Sequence, residues 1–322
     1  MKANELERTI HTLLAKLGGS FRLKQRIGRR SLGDHLEEII REAAATESVE
    51  FGVPGDATEL SRSAEGVMNF FYRPHLFPGM DPMLHLGHLV QYDLLPRELP
   101  ANSPVEAVAM LESYCHLSGD LFGWIATGDD EITMWVLDVS GHGVRAGFAA
   151  VVIKVILGDT DPGVPLTMLA KEVESRFIDA RNPDDPSCIY ATGVFLRINR
   201  SGAVEYLSAG HPPILVKRKS GPVDRFEATA VPLGLFPEME TASANFELGA
   251  DDSLVVCTDG LLELENDDGE VFGINHTVAI LDASDGSPCG IYSSLTRAVG
   301  DFHELERLED DLSFVALRLR RP

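Results

Sequence analysis

The feature that most constrains the fold is a series of strand-like runs joined by short turns. Residues Glu131–Leu137 are apolar on both sides of the run, which is typical of a buried strand. Residues Tyr190–Asn199 and Ala203–Ser208 are separated only by residues 200–202, a connection short enough for a hairpin. Because few helices intervene, the pattern predicts antiparallel sheets covered by helices rather than an alternating βαβ chain.

The other predicted elements of this region follow from the same patterns. They are a hairpin turn at 219–221, strands over 253–258 and 312–319, and helices over 144–158 and 291–303.

The N-terminal region differs from the rest in charge and pattern. Residues 1–35 hold eight basic and three acidic residues, whereas the whole chain has a formal net charge of -22. Apolar spacing predicts a helix around Leu6–Leu17, and Ser31 with Asp34 resembles a capping box for a second one. We therefore predict three parts: a helical regulatory or partner-binding region at 1–82, a linker helix within 83–100, and a larger domain at 101–322.

The net charge and the cysteines restrict the function and the location. A surface this negative repels nucleic-acid phosphate, so nucleic-acid binding is not expected. The four cysteines contain no C-x-x-C pair, which fits a reducing cytoplasm. The longest apolar stretch, residues 147–158, includes Lys154 and is too short to span a bilayer, so no transmembrane segment is expected.

Several acidic residues stand where apolar runs begin or end. Asp138 follows a strand-like run and Asp259 follows another, whereas Asp310 and Asp311 precede a third; Asp120 follows Ser118-Gly119. Each alone is an ordinary turn residue. If they converge, a cation must offset their repulsion, and hard carboxylate oxygens select Mg²⁺ or Mn²⁺ over zinc.

The order of these residues within short motifs resembles a known family, the SpoIIE/RsbU-type branch of the metal-dependent protein phosphatases (PPM, protein phosphatase 2C-like). The matching motifs are Leu94-Leu95-Pro96, Ser118-Gly119-Asp120-Leu121-Phe122, Asp138-Val139-Ser140-Gly141-His142-Gly143, Ala209-Gly210-His211-Pro212-Pro213, Pro232-Leu233-Gly234-Leu235, Thr258-Asp259-Gly260-Leu261 and Asp310-Asp311-Leu312-Ser313. They extend over roughly residues 90–320, and residues 1–80 take no part.

The resemblance implies an α+β fold, an αββα sandwich of two mainly antiparallel sheets flanked by helices. It implies two Mn²⁺ or Mg²⁺ ions, bridged by Asp138 and further held by Asp120, Asp259, Asp310 and the carbonyl of Val139. A hydroxide between the metals would attack phosphorus. The implied substrate is phosphoserine or phosphothreonine on a regulatory protein, such as an anti-sigma-factor antagonist. An upstream regulator acting through the N-terminal region and a homodimer formed through the linker helix are also expected.

Three positions depart from the family's patterns. Gly123 stands where the branch usually has a second Asp, so a carboxylate near the metals is missing. Ser140 stands where eukaryotic members carry a histidine, and His142 comes two residues later, so we expect water to protonate the leaving group. The arginine that eukaryotic members use to bind phosphate has no counterpart before Asp120. Arg145 is close in sequence to the site, and a structural or partner-binding role fits it as well as a catalytic one.

Two other functions use the same residues. Gly141-His142-Gly143-Val144-Arg145-Ala146 fits a G-x-G-x-x-A dinucleotide fingerprint, although the hairpins that follow argue against the required crossover. Because of Gly123, a second alternative stays open: a family-like domain that binds a phosphoprotein without turnover. His211 is at least as readily a structural turn histidine as a functional one.

Overall fold

The computed structural model describes residues 101–115, 117–181, 189–236, 240–304 and 307–320, with a few earlier residues. Among the earlier ones, β1 (Arg26–Ile27) pairs with β2 (Arg30–Ser31). Gly87, Gln91 and Leu94 are helical, in keeping with a linker helix. The two helices predicted before residue 82, and the domain division at 82, lie outside the described residues and stay predictions.

Within the described residues from 101 onward, the structure has ten strands and five helices. Their bounds are β3 Val105–Glu112, β4 Leu121–Ala126, β5 Glu131–Val139, α1 Val144–Asp159, α2 Leu166–Ala180, β6 Ala191–Asn199, β7 Ala203–Ala209, β8 Ile214–Lys217, β9 Asp224–Phe226, β10 Ala244–Glu247, β11 Ser253–Cys257, α3 Asp259–Leu262, α4 Gly273–Ala283, α5 Pro288–Phe302 and β12 Leu312–Leu319.

These strands form two five-stranded sheets, with orders β10-β7-β6-β5-β4 and β3-β12-β11-β8-β9. Every pairing within them is antiparallel. The predicted antiparallel architecture is therefore confirmed. The dinucleotide-binding alternative is wrong, because the strand that follows α1 and α2 pairs with β5 in the antiparallel direction.

Three apolar layers hold the sheets and helices together. The inner faces of the two sheets pack on each other through residues such as Phe122, Val136 and Val315. The outer face of the first sheet packs on α1 and α2, and the outer face of the second packs on α3 to α5. This arrangement is the αββα sandwich that the resemblance implied, with each sheet buried on both faces.

Helix α1 lies close to the segment that leads into β4. A Cβ atom on Gly147 would stand 2.4 Å from the Cβ of Leu117, which is itself 3% exposed. The absence of a side chain at position 147 therefore lets α1 pack directly on the residues before Asp120. Within the described residues, no helix combines the length and the apolar character needed to cross a membrane.

We predict opposite effects for two glycine substitutions in helices. Gly147→Ala should lower the free energy of unfolding by about 1–3 kcal/mol, because the new methyl group overlaps Leu117. Gly300→Ala, at an exposed site in α5 where a Cβ meets no atom within 4 Å, should raise it by about 0.5–1 kcal/mol through helix propensity. Urea denaturation measures both, and equal effects would contradict the close packing of α1.

Candidate metal centre

The acidic residues predicted from the sequence lie together at one end of the sandwich. Asp120 directly precedes β4, Asp259 begins α3 after β11, and Asp310 stands two residues before β12. Asp138 is the last but one residue of β5, so that strand runs two residues further than the sequence suggested. By strand alternation, Asp120 and Asp138 project on the same side as Phe122 and Val136, between the two sheets.

Asp120 is the most buried of these carboxylates. It is 1% exposed, and its Oδ2 accepts a 2.8 Å hydrogen bond from the hydroxyl of Thr258, which comes from the other sheet. Its Oδ1 is buried and accepts no hydrogen bond from the described residues. Burial raises the pKa of Asp120 well above its usual value, and the charges of Asp138 and Asp311 raise it further.

The carboxylates act on one another's ionisation. Burial raises the pKa of Asp138 to about 8, and the charges of Asp259, Asp310 and Asp311 add to the effect. Burial also raises the pKa of Asp259, with Asp310 as the next contribution. Since these electrostatic effects require proximity, the fold brings together all four of the aspartates that the sequence predicted.

Asp311 is a buried member of the cluster to which the sequence assigned no role. It is 3% exposed, and its two oxygens accept hydrogen bonds from the backbone nitrogens of Tyr114 at 2.8 Å and Gly119 at 2.6 Å. Asp310, by contrast, is exposed and accepts a bond from the nitrogen of Asp311. Strand alternation before β12 could have indicated this, because Asp311 falls on the same side as the inward Val315.

Backbone contacts fix the segment after Asp138. The nitrogen of Val139 donates to the carbonyl of Gly119 at 3.2 Å, which keeps the Asp120 and Asp138 segments side by side. Ser140 bonds Tyr190 twice: its nitrogen donates to the Tyr190 carbonyl, and its hydroxyl accepts from the Tyr190 nitrogen at 3.0 Å. The Ser140 side chain therefore has a structural role.

Two other candidates from the sequence lie nearby on the surface. His142 is exposed, and its ring packs edge-on against Tyr114 with the ring centroids 4.7 Å apart. Arg145 is exposed at the second position of α1, as the sequence suggested.

Position 123 does not face the carboxylates. Gly123 lies opposite Trp135 in the β4–β5 pairing, and alternation directs this position toward the helices, away from Asp120. A Cβ atom there would stand 2.5 Å from the indole ring. The expectation that Gly123 removes a carboxylate beside the metal ligands is therefore not supported by the geometry, because Trp135 fills the space over this glycine.

The cluster has the chemistry of a cation site. As the side chains stand, no group of three or more acidic, histidine or cysteine residues in the described part is arranged to hold a metal ion. The donors are nevertheless all hard oxygens, and Asp120 has an unpaired buried oxygen. The raised pKa values of Asp120 and Asp138 record burial first and then mutual repulsion, which a divalent cation would offset. These residues fit Mg²⁺ or Mn²⁺ better than zinc.

We predict that the stability of the metal-free protein falls with rising pH. The raised carboxyl pKa values, to about 7 for Asp311 and about 8 for Asp138, make the folded chain hold protons that the unfolded chain has already released. The melting temperature without metal should be lower at about pH 8 than at about pH 6, and the gain on adding Mn²⁺ should be larger at about pH 8. Calorimetry measures both, and a metal-free protein that becomes more stable over this range would contradict the coupling.

The comparison with protein families agrees with this geometry. Residues 128–320, more than half of the chain, match the family model "Stage II sporulation protein E (SpoIIE)". Among curated proteins, phosphoserine phosphatase RsbP of Bacillus subtilis is 27% identical over 182 residues. That match covers 56% of this chain and 45% of RsbP, so the chain spans less than half the length of this relative.

Solved structures share the fold. The SiaA-PP2C domain of Pseudomonas aeruginosa superposes with a TM-score of 0.62 at 13% identity, covering 74% of this chain and 96% of that domain. RsbX, solved in complex with magnesium, superposes with a TM-score of 0.50 at 18% identity, covering 67% of this chain and 96% of RsbX.

The family match agrees with three observations. These are the sequence motifs, the two helix-covered antiparallel sheets, and the carboxylates at one end of the sheets. The chain belongs to the SpoIIE family, whose domain is of the protein phosphatase 2C-like, metal-dependent type.

Proposed function

We propose that this chain is a metal-dependent protein serine/threonine phosphatase. It hydrolyses phosphoserine or phosphothreonine on a regulatory protein, such as an anti-sigma-factor antagonist. The observation that carries the proposal is the cluster of carboxylates at the sheet ends, in which Asp120 is buried with its Oδ1 unpaired. The similarity to RsbP, which is named a phosphoserine phosphatase, supports the substrate class.

The proposed ligands are those expected from the motifs. Asp138 and the carbonyl of Val139, with Asp120, Asp259 and Asp310, would hold two Mn²⁺ or Mg²⁺ ions. Such ions lower the pKa of water and neutralise phosphate charge, which favours hydrolysis without a covalent enzyme intermediate. The structure of RsbX, solved in complex with magnesium, supports Mg²⁺ or Mn²⁺ rather than zinc as the metal of this chain.

Neighbouring residues of this chain orient the ligands. The Thr258 hydroxyl donates to Asp120, and this hydroxyl also accepts from the nitrogen of Ser313 at 3.0 Å, so its direction is fixed. Asp311 holds Gly119, directly before Asp120. Ser140 is engaged with Tyr190. Water therefore protonates the leaving group in this proposal.

The alternative is a family-like domain that binds its phosphoprotein without turnover. It was suggested by Gly123, yet that position faces the helices and Trp135. Four aspartates kept together without metal would also destabilise the fold through repulsion. The enzyme is therefore the better supported proposal, and the following experiment separates the two.

Asp138→Asn is expected to abolish phosphate release and the metal response together. In the wild-type protein, saturating Mn²⁺ should raise the melting temperature and support release from p-nitrophenyl phosphate and phosphorylated antagonist proteins. In the variant both effects should be lost, whereas its metal-free melting temperature should equal or exceed that of wild type because one repelling charge is gone.

Asp129→Asn is the matched control for this experiment. Asp129 is exposed in the turn between β4 and β5, at the opposite end of these strands from Asp138. This variant should behave as wild type. A wild-type protein that binds Mn²⁺ but releases no phosphate from any of these substrates would favour the binding domain.

We further propose that residues 1–82 control activity through the linker helix. Gln91, which is 6% exposed, donates to the carbonyl of Ser118 at 2.5 Å and accepts from the nitrogen of Ser118 at 2.9 Å. The Ser118 hydroxyl in turn accepts from the nitrogen of Asp120 at 3.0 Å. A movement of the linker would therefore reach a proposed metal ligand through two side chains. The homodimer and the cytoplasmic location stay predictions.

Replacing Gln91 tests this connection. Gln91→Leu keeps the size of the side chain and removes both bonds to Ser118, so the Mn²⁺ concentration for half-maximal activity should rise about tenfold. Ser103→Ala is the control, because its buried hydroxyl likewise contacts the nitrogen and carbonyl of one residue, Val105, but at the far end of β3. It should lower stability without changing the metal requirement. An unchanged requirement in Gln91→Leu would contradict the connection.

A further inference from the structure

His211 is a buried histidine to which the proposed mechanism gives no task. It belongs to the Ala209-Gly210-His211-Pro212-Pro213 motif, stands two residues after the end of β7, and is 4% exposed. A polar ring this deeply buried needs partners on both nitrogens, since an unpaired one costs stability. Its neighbours therefore indicate what the ring does.

One nitrogen of the ring contacts the strand beside Asp138. Nδ1 lies 2.8 Å from the hydroxyl of Thr192 in β6. Thr192 stands directly opposite Asp138 in the β5–β6 pairing. Residues paired in this way project on the same face of the sheet, so the Thr192 hydroxyl lies on the face that carries the Asp138 carboxylate.

The ring also lies beside the second sheet. Its Nε2 is buried and has no hydrogen-bond partner among the described residues. His211 lies in the segment that leads from β7 in the first sheet to β8 in the second, where β8 pairs with β11, and the Cys257 backbone is near enough to affect the pKa of the ring. Cys257 is the last residue of β11. The next two residues are Thr258, which donates to Asp120, and the proposed ligand Asp259. One imidazole thus spans the gap between the two strand ends that carry the cluster.

The ring is uncharged in the folded protein. Burial lowers the pKa of His211 to about 3, despite the opposing effect of the Cys257 backbone. A neutral imidazole has one donor and one acceptor, so it can join two groups without adding a positive charge that would compete with bound cations. Lysine or arginine at this position would add such a charge.

We propose that His211 is a positioning residue of the metal centre, which holds the strand end with Asp138 at a fixed separation from the strand end with Asp259. The inference rests on the proposed function, because it assumes that these two aspartates bind cations. It concerns how they are held, through Thr192 and the Cys257 backbone, and not which reaction follows.

The first test removes one hydroxyl on the first-sheet side. Thr192→Val is nearly isosteric, and titration calorimetry of the metal-free full chain with Mn²⁺ should show about tenfold weaker binding. Thr133→Val is the matched control: Thr133 is fully buried in the same sheet, five residues before Asp138 in β5, and its hydroxyl contacts that of Thr127 at 3.4 Å. It should bind Mn²⁺ as wild type does.

The second test separates positioning from general packing. His211→Asn keeps a polar group near the place of Nδ1, whereas His211→Leu keeps bulk alone. If positioning is the role, the Asn variant should bind Mn²⁺ more tightly than the Leu variant, even if the Leu variant unfolds at the higher temperature without metal.

The outcomes distinguish the inference from the proposed function. Binding of Mn²⁺ by wild type with weaker binding by Thr192→Val, and by His211→Leu more than His211→Asn, supports the positioning role. Wild-type binding with unchanged affinity in Thr192→Val overturns the inference and leaves the proposed function standing. A wild-type chain that binds no Mn²⁺ overturns both.

Discussion

Repulsion among carboxylates buried between two sheets is the constraint around which this end of the molecule is built. Asp120 and Asp311 are buried and Asp138 is half-buried, so water screens their charges poorly, and burial with mutual repulsion raises their pKa values. The metal-free fold tolerates them by keeping protons on the cluster. In the proposed metal-bound state a divalent cation would replace those protons, so the repulsion that weakens the metal-free cluster would favour metal binding.

The sandwich holds these charges through hydrogen bonds that cross from one sheet to the other. Thr258 at the end of β11 donates to Asp120 at the start of β4, and Asp311 before β12 accepts from the nitrogen of Gly119. Since each bond joins residues far apart in sequence, the cluster forms only when both sheets have packed. His211 hydrogen-bonds Thr192 of the first sheet and lies near the Cys257 backbone of the second, so we propose that it adds a further connection between them. The arrangement of the proposed metal ligands therefore depends on the packing of the two sheets.

The sequence predicted the elements whose pattern is strong, and it missed those whose local preference differs from their place in the fold. The hairpin of β6 and β7 and the buried strand β5 follow directly from period-two patterns and short turns. Strand β3, with Ala, Glu, Met and Leu, has a helix-forming composition, and only its pairing with β12 makes it a strand. The ordered motifs identified Asp120, Asp138, Asp259 and Asp310. Alternation could have placed Asp311 on the inner face of the sheet. Its hydrogen bonds to Tyr114 and Gly119, and the indole ring of Trp135 over Gly123, depend on how separate segments pair, which no local pattern contains.

Binding of divalent cations by the four aspartates at the sheet ends can be tested crystallographically. A crystal of the full chain is grown with Mn²⁺ and measured at the manganese absorption edge. We expect anomalous peaks between the two sheet ends, with oxygens of Asp120, Asp138, Asp259 and Asp310 as ligands. Manganese bound elsewhere, or no anomalous peak within this cluster at saturating Mn²⁺, would contradict it.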